Sequence, residues 1–440
     1  MVVVITIFCW IIAILSLIQS KFIFHPIGIM FFIWGILIPI SYSGVYGVYI
    51  PSDKSYTIMA VGLLGYLLGT LIGLHKTSFK VVLSTKRVNN SREFIGYEVR
   101  YNLLYILNWI SIIYFIFQAL IVLKLLSSGF DYSYIRELAT SEDNNVLRQS
   151  SVLSNIRVFI ATPLTYLDIA LLPVEIFYGR KDKKLIRQIL IMIFLWVFTS
   201  GGRSIIVWEI LYFACVLLIQ KQEISKIEWN KIFDKYKYPI IVGSIALFLF
   251  LYFITISRKG KGVDFLKQFY IYYVAPLSFF DKHVKSLDSL TSGYLMGYGV
   301  SSFYGFLYPI LFVYKLISGS YPPFIESIYY RSFGILEQGV DIGGGIWMNA
   351  FATFFYQPYL DGRYIGTFII LMIFGYFCMR VYKKAKEGND PKFLLVYLLL
   401  LQKITDSMVR FYFTQQVQAI AFILALIVVT KVYREKQKEE

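Results

Sequence analysis

The sequence predicts an all-α polytopic membrane protein with about eleven transmembrane helices. Three observations carry that prediction. Hydrophobic residues make up 57% of the 440 residues and charged residues only 16%, where soluble domains carry about 25% charge. Apolar runs near the length of a bilayer-spanning helix recur along the chain. The basic residues fall in every second connection between those runs. Together these exclude a soluble globular domain, a disordered chain and a fibrous repeat.

Taken in order, the apolar runs cover 2–20, 26–43, 57–75, 103–126, 152–177, 186–200, 203–220, 238–256, 363–382, 392–406 and 414–432. The first lacks a basic leader and a small-residue cleavage site, so it is expected to stay as a helix. The organisation that follows is an N-terminal helical region at 1–256, a long loop at 257–362, and a C-terminal region at 363–440 with a polar tail.

The net charge is +16. In a soluble chain this would suggest nucleic acid; here the positive-inside rule accounts for much of it. The turn at Lys21, residues 75–102, residues 178–187, and residues 220–237 with Lys221, Lys226, Lys231, Lys235 and Lys237 form one set. Residues 379–392 and the tail complete it. Strict alternation from an external N-terminus puts that set, and the C-terminus, in the cytoplasm. The opposite face then holds 44–56, 127–151, the turn at 200–204, and 257–362. Within the last, 293–317 is apolar enough to dip into the bilayer. Embedded or interfacial helices on the outer side are expected there, and a thirteen-crossing chain is the alternative.

Little in the sequence suits metal or redox chemistry. Cys9, Cys215 and Cys378 sit in apolar runs, and His25, His75 and His283 are far apart, so neither a metal site nor a cofactor is expected. Arginine is the informative residue. Arg136, Arg148, Arg157, Arg203, Arg258, Arg331, Arg363 and Arg410 fall on or near the outer side, against the topogenic bias. A guanidinium is a permanently charged planar fork that matches phosphate oxygens.

Arg203 lies in Thr199-Ser200-Gly201-Gly202-Arg203-Ser204, a tight turn leading into a helix whose first amides suit an anion. Arg157 sits near the outer end of a helix, where the functional reading competes with snorkelling to headgroups. Arg258 follows a crossing directly. Arg410 and Asp406 flank a short turn as an ion pair or a site, and Arg136 shares a polar loop with Glu137. His283, the one outer histidine, is a candidate base; otherwise it is a surface or interfacial histidine. Asp361, Asp341 and Glu337 are the carboxylate alternatives. Aromatic residues are abundant, with 38 Phe, 36 Tyr and 7 Trp. Their outer-side tyrosines suit a membrane interface belt or stacking on sugars.

Three stretches carry a family resemblance. They are the Thr199–Ser204 turn; Ile256-Ser257-Arg258 with Tyr273–Leu277 and Gly297–Phe303; and Asn349–Thr353 followed by Tyr359-Leu360-Asp361-Gly362-Arg363-Tyr364-Ile365-Gly366. In this order and topology the chain resembles the Wzy-type oligosaccharide repeat-unit polymerases of O-antigen and capsule synthesis. It has Asp361-Gly362-Arg363 where the family commonly has Asp-Phe-Gly.

The resemblance implies a GT-C-like, metal-independent membrane glycosyltransferase of the bacterial cytoplasmic membrane. It implies undecaprenyl-pyrophosphate-linked oligosaccharides as substrates, joined on the external face. The bilayer, a flippase and a chain-length regulator are the implied partners, and nucleic acid is not. Arg203 and Arg258 match family positions for the pyrophosphate; Arg157, Arg410 and Arg136 join them by topology. The base is not fixed by any match, with His283 and Asp361 as candidates. An O-antigen-ligase-type transferase is the nearest rival. A lipid-linked oligosaccharide flippase, expected to carry charged residues within its central crossings, is another, and a non-catalytic scaffold is the third.

Overall fold

The computed structural model describes residues 1–75, 92–131, 134, 150–202, 204–223, 265–289, 296–387 and 391–435. In chain order these form α1 (Val2–Ser20), α2 (Pro26–Tyr42), α3 (Asp53–Leu74), β1 (Arg92–Val99) and α4 (Tyr101–Ser127). Next come α5 (Ser151–Phe177), α6 (Lys183–Ser200), α7 (Ser204–Glu223), α8 (Phe265–Tyr273) and α9 (Pro276–Ser289). Then follow α10 (Val300–Ser318), α11 (Pro323–Tyr329), β2 (Val340–Asp341), β3 (Trp347–Met348) and α12 (Tyr356–Glu387). The chain ends in α13 (Pro391–Thr405), α14 (Gln416–Val428) and β4 (Val429–Glu435).

Among the described residues six helices, α1, α3, α4, α5, α10 and α12, are long and apolar enough to cross a membrane, and shorter apolar helices include α2 and α14. The architecture is that of an all-α membrane protein. Ten of the apolar runs expected to cross coincide with described helices; the run at 238–256 lies outside the described residues.

Two compact units divide the chain, Met1–Val99 with Leu266–Glu440 (unit 1) and Arg100–Phe265 (unit 2). This cuts across the linear partition at 256 and 362. The first three helices belong with the C-terminal half, because α3 packs against α12. Gly65 and Gly69 are what let them meet. A Cβ on Gly65 would stand 2.4 Å from the Phe368 carbonyl oxygen, and one on Gly69 would stand 1.9 Å from that of Met372. Small residues at this spacing bring helix backbones together where lipid offers no hydrophobic drive.

The connections of unit 1 sort to two ends. At one, Lys383 Nζ donates to the Leu74 carbonyl (2.9 Å) and Lys386 Nζ to that of Ser20 (3.4 Å). The Tyr397 hydroxyl donates to the Phe24 carbonyl at the same end. There β1 also pairs antiparallel with β4, from Val99↔Val429 to Arg92↔Glu435. The last expected crossing, 414–432, is therefore too long: helix stops at Val428. The β-branched Val429, Thr430 and Val432 suit a strand, and β1 supplies its partner.

At the other end, the 44–52 connection meets α9 and the segment after β2. Ser278 Oγ donates to the Tyr49 carbonyl (2.6 Å), and Tyr49 N–H donates to that of Ile342 (2.8 Å). Phe354 N–H donates to Ser407 C=O (2.8 Å), which ties the turn after α13 to the same end. Of the segment 293–317, expected to embed rather than cross, the described part from Val300 onward lies in the 19-residue helix α10. It stops at Gly319 (φ 83°) and the chain doubles back: Tyr304 and Tyr329 rings lie 5.3 Å apart. Past the return, Leu336 C=O accepts from Ala350 N–H (2.6 Å). The hairpin thus starts and finishes beside the N-terminal part of α12.

In unit 2, α4 packs against α6, and α5 against α7. The helix α5 contains a π turn at Arg157–Ala161. Pro163 explains it: the ring has no N–H for the Phe159 carbonyl and crowds it, and one extra residue in the turn relieves the clash.

Candidate functional site

The helix α12 is broken about two turns from its start. Gly362 has φ −172° and ψ 30°, and Arg363 has φ 54° and ψ −139°. A positive φ on a residue with a Cβ is costly and persists only where the surroundings impose it. They do so through Asp361. Its Oδ1 accepts the Ser301 N–H (2.9 Å) and its Oδ2 accepts the Ser302 N–H (2.7 Å), capping the first turn of α10. Behind the carboxylate, Gly297 N–H donates to Leu360 C=O (3.1 Å) and Tyr298 N–H to Asp361 C=O (3.0 Å). A side chain at Gly297 would collide with Asp361, its Cβ 2.1 Å from Oδ1. Two stretches of the family resemblance, Gly297–Phe303 and Tyr359–Gly366, are therefore bonded to each other.

The break turns Arg363 toward a polar group. Its guanidinium lies 5.2 Å from the Tyr359 ring centre, and Nη1 stands 3.9 Å from Asp288 Oδ1. That nitrogen is buried and makes no hydrogen bond. Asp288 is shared: Tyr359 OH donates to Oδ1 (3.1 Å) and Lys54 Nζ to Oδ2 (2.5 Å). Arg331 and Arg363 both lie within electrostatic reach of Tyr356, whose hydroxyl donates to Arg331 C=O (2.9 Å). Cations thus collect around the break, and Arg363 Nη1, ion-paired with Asp288 at 3.9 Å, still has no hydrogen-bond acceptor, a donor that an anion could meet.

A second basic group stands on the turn after α13. Arg410 Nη2 donates to Ala350 C=O (2.9 Å), and its backbone pairs with Thr353. Lys403 is buried, and its Nζ donates to Gln418 Oε1 (2.7 Å) and Gln402 Oε1 (3.3 Å). Both side chains line a small crevice walled by Phe354, Phe374, Phe411, Tyr412 and Phe413.

The two candidate bases have other surroundings than a base needs. Asp361 has both oxygens committed to buried amides. His283 is not a surface residue: it is 4% exposed, its ring 4.2 Å from that of Phe279, with neither nitrogen hydrogen-bonded. Burial pushes its imidazole down to about 4, so it is neutral at pH 7. Two residues away, Asp281 caps α3. Its Oδ1 accepts from Ser52 N–H (2.9 Å), Ser52 Oγ and Ser55 Oγ (2.8 Å), and its Oδ2 from Lys285 (2.6 Å). Burial would raise its carboxyl, but the Lys285 and Ser52 bonds outweigh it and hold the group below its ordinary value.

Of the expected pyrophosphate residues, Arg410 belongs to unit 1 and Arg157, half-buried on the π turn, to unit 2. Arg203, Arg258 and Arg136 lie outside the described residues. Sequence reasoning counted Arg363 among the outer arginines without placing it in the site, quoted Tyr359 only as part of the family resemblance, and passed over Lys403 and Asp288. The available signal was the Asp361-Gly362-Arg363 triplet, where glycine and a charge interrupt an apolar helix. Compared with known proteins, the chain matches no family model, no curated protein and no solved structure.

Proposed function

We propose that this protein polymerises undecaprenyl-pyrophosphate-linked oligosaccharide repeat units into surface polysaccharide, as a metal-independent GT-C-like glycosyltransferase. Its place is the external face of the bacterial cytoplasmic membrane, with the C-terminus in the cytoplasm. The observation that supports this reading is the docking of Tyr359–Gly366 on Gly297–Phe303 through Asp361, with Arg363 presented beside it.

In this reading a sugar hydroxyl of one lipid-linked unit attacks the anomeric carbon of the growing chain. The bond to the lipid diphosphate breaks, and the leaving group gains negative charge. Fixed guanidinium groups stabilise that charge without reorganising. Within unit 1, Arg363, Arg331 and Arg410 are the groups proposed for this role; Arg157, Arg203, Arg258 and Arg136 are candidates from the sequence alone. Asp361 is a positioning residue, since it holds the break that orients Arg363. Two substrates confined to one bilayer need only alignment.

The test is the purified chain in detergent with undecaprenyl-pyrophosphate oligosaccharide, the product resolved by length. A ladder of longer glycans is expected. Arg363→Lys and Arg203→Lys keep the charge and lose the fork; each should slow elongation about 100-fold or more while inserting normally. Unchanged glycan length with the native chain, or native elongation by both variants, overturns the reading.

A further inference from the structure

Unit 2 contains a second polar group that the proposed reaction does not use. Asp168 on α5 is fully buried, and its polar neighbour is the Asn108 side chain on α4, within hydrogen-bonding reach but without the geometry of a full hydrogen bond to either oxygen. Glu209 on α7 has two buried oxygens without a partner, and it lies within electrostatic reach of Asp168. Asn108 is itself fully buried, and neither end of its amide makes a full hydrogen bond. Asp168 is nine residues from the end of α5, ~13 Å along the axis, and so well inside a hydrocarbon core.

Among the described residues the surroundings offer no paired countercharge: no lysine or arginine forms an ion pair with Asp168 or Glu209. Arg157 is eleven residues back along α5, ~16 Å away by helix rise. Lys124 on α4, and Lys183, Lys184 and Arg187 on α6, stand near helix ends. The neutral Gln188 on α6 donates to Tyr105 C=O (3.4 Å) and leaves its own Oε1 unpartnered. Glu175 on α5 is occupied by Tyr101 OH (3.0 Å) and Asp182 N–H (2.9 Å).

Two buried carboxylates within electrostatic reach of each other disfavour double ionisation in such a place unless a cation joins them. Their donor set is hard oxygen, which suits alkali cations and not soft metals. One retained proton leaves a single negative charge for a single positive ion. We propose that Asp168, Glu209 and Asn108 form an intramembrane site that exchanges a proton for a monovalent metal cation. When the cation binds, one carboxyl O–H breaks and its proton leaves to solvent. This site is independent of glycan polymerisation, and ion-coupled transport uses chemistry of this kind.

The experiment uses the purified full chain in detergent at mildly acidic pH, treated with a hydrophobic carbodiimide that modifies protonated buried carboxyls. Labelled peptides are mapped by mass spectrometry in choline chloride and in sodium chloride of equal ionic strength. Labelling at Asp168 or Glu209 is expected in choline. It should fall about tenfold once sodium exceeds its dissociation constant by that ratio. Equal labelling in the two salts overturns the proposal, as does no labelling of either residue. In weak buffer, sodium should also release protons from the native chain and not from Asp168→Asn or Glu209→Gln. Release that persists in both folded variants equally overturns it.

Discussion

Asp361 and Asp281 in unit 1 and Asp168 in unit 2 are buried in opposite ways. Asp361 and Asp281 are each 3% exposed, and each is saturated with donors from a helix start. Asp168 is 0% exposed and makes no full hydrogen bond, with only the Asn108 amide in reach. A carboxylate that accepts several amide or hydroxyl bonds is held by the protein and holds the protein in return. One that accepts no full hydrogen bond gives the fold little for its burial, and a bound cation would supply what the fold does not. Similar depth therefore marks structure at Asp361 and Asp281 and the proposed ion site at Asp168.

The largest effect that tests this contrast is at Asp361. Asp361→Ala strands two buried amides and removes a helix cap, a loss of about 3–5 kcal/mol of unfolding free energy. Asp361→Asn keeps one acceptor and should recover roughly half of that. Unfolding in detergent, titrated with a denaturing surfactant, reads both. A loss below about 1 kcal/mol for the alanine variant would remove Asp361 from the class of structural caps.

His283 sharpens the comparison by pH. Its folded value of about 4 lies below the unfolded value of about 6.5. Between these the unfolded chain binds a proton that the folded chain refuses, so stability falls as pH falls through that window and is level above it. The fall should reach about 3 kcal/mol by pH 4. His25, pushed down to about 4 by burial and by Lys386, contributes in the same sense. His283→Leu should thus remove about half of the wild-type slope in melting temperature against pH, and an unchanged slope would show that the imidazole reaches water.

Asp281 gives a smaller effect. Asp281→Asn weakens the bonds to Ser52, Ser55 and a largely exposed Lys285, worth about 1–2 kcal/mol in all. Because the folded carboxyl is depressed, its contribution is present above the unfolded value of about 3.9 and lost as pH falls through the folded one. The gap between native and variant melting temperatures should therefore close in acid. A gap that stays constant down to pH 2 would mean that charge plays no part.

Much of the helical framework was legible in residues because lipid permits few ways to satisfy a backbone. Apolar length located α1 to α7 and α12 to α14, and the alternation of Lys and Arg grouped the connections that meet at one end of unit 1. What stayed hidden depends on contacts across the chain. The stop at Val428 needs β1, more than 300 residues earlier. The break at Gly362–Arg363 needs the amides of Ser301 and Ser302. Burial of His283 follows from how α9 packs, which no local pattern around Asp281-Lys282-His283 reveals. Asp168 and Glu209 were visible as single charges in apolar runs, yet only the packing of α5 on α7 makes them neighbours.

The smallest expected effect is the most telling, because it has the opposite sign from Asp361. Asp168→Asn removes a carboxyl that makes no full hydrogen bond and leaves an amide of nearly the same shape, still able to meet Asn108. Without sodium, the variant should match or exceed native stability, within about 1 kcal/mol. With sodium, the native chain should gain by mass action while the variant does not, since only the native site binds the ion. Melting curves of the two proteins in choline and sodium chloride measure both halves of this. If Asp168→Asn lowers stability by as much as Asp361→Ala does, then Asp168 has structural partners of its own, and the contrast between the two units collapses.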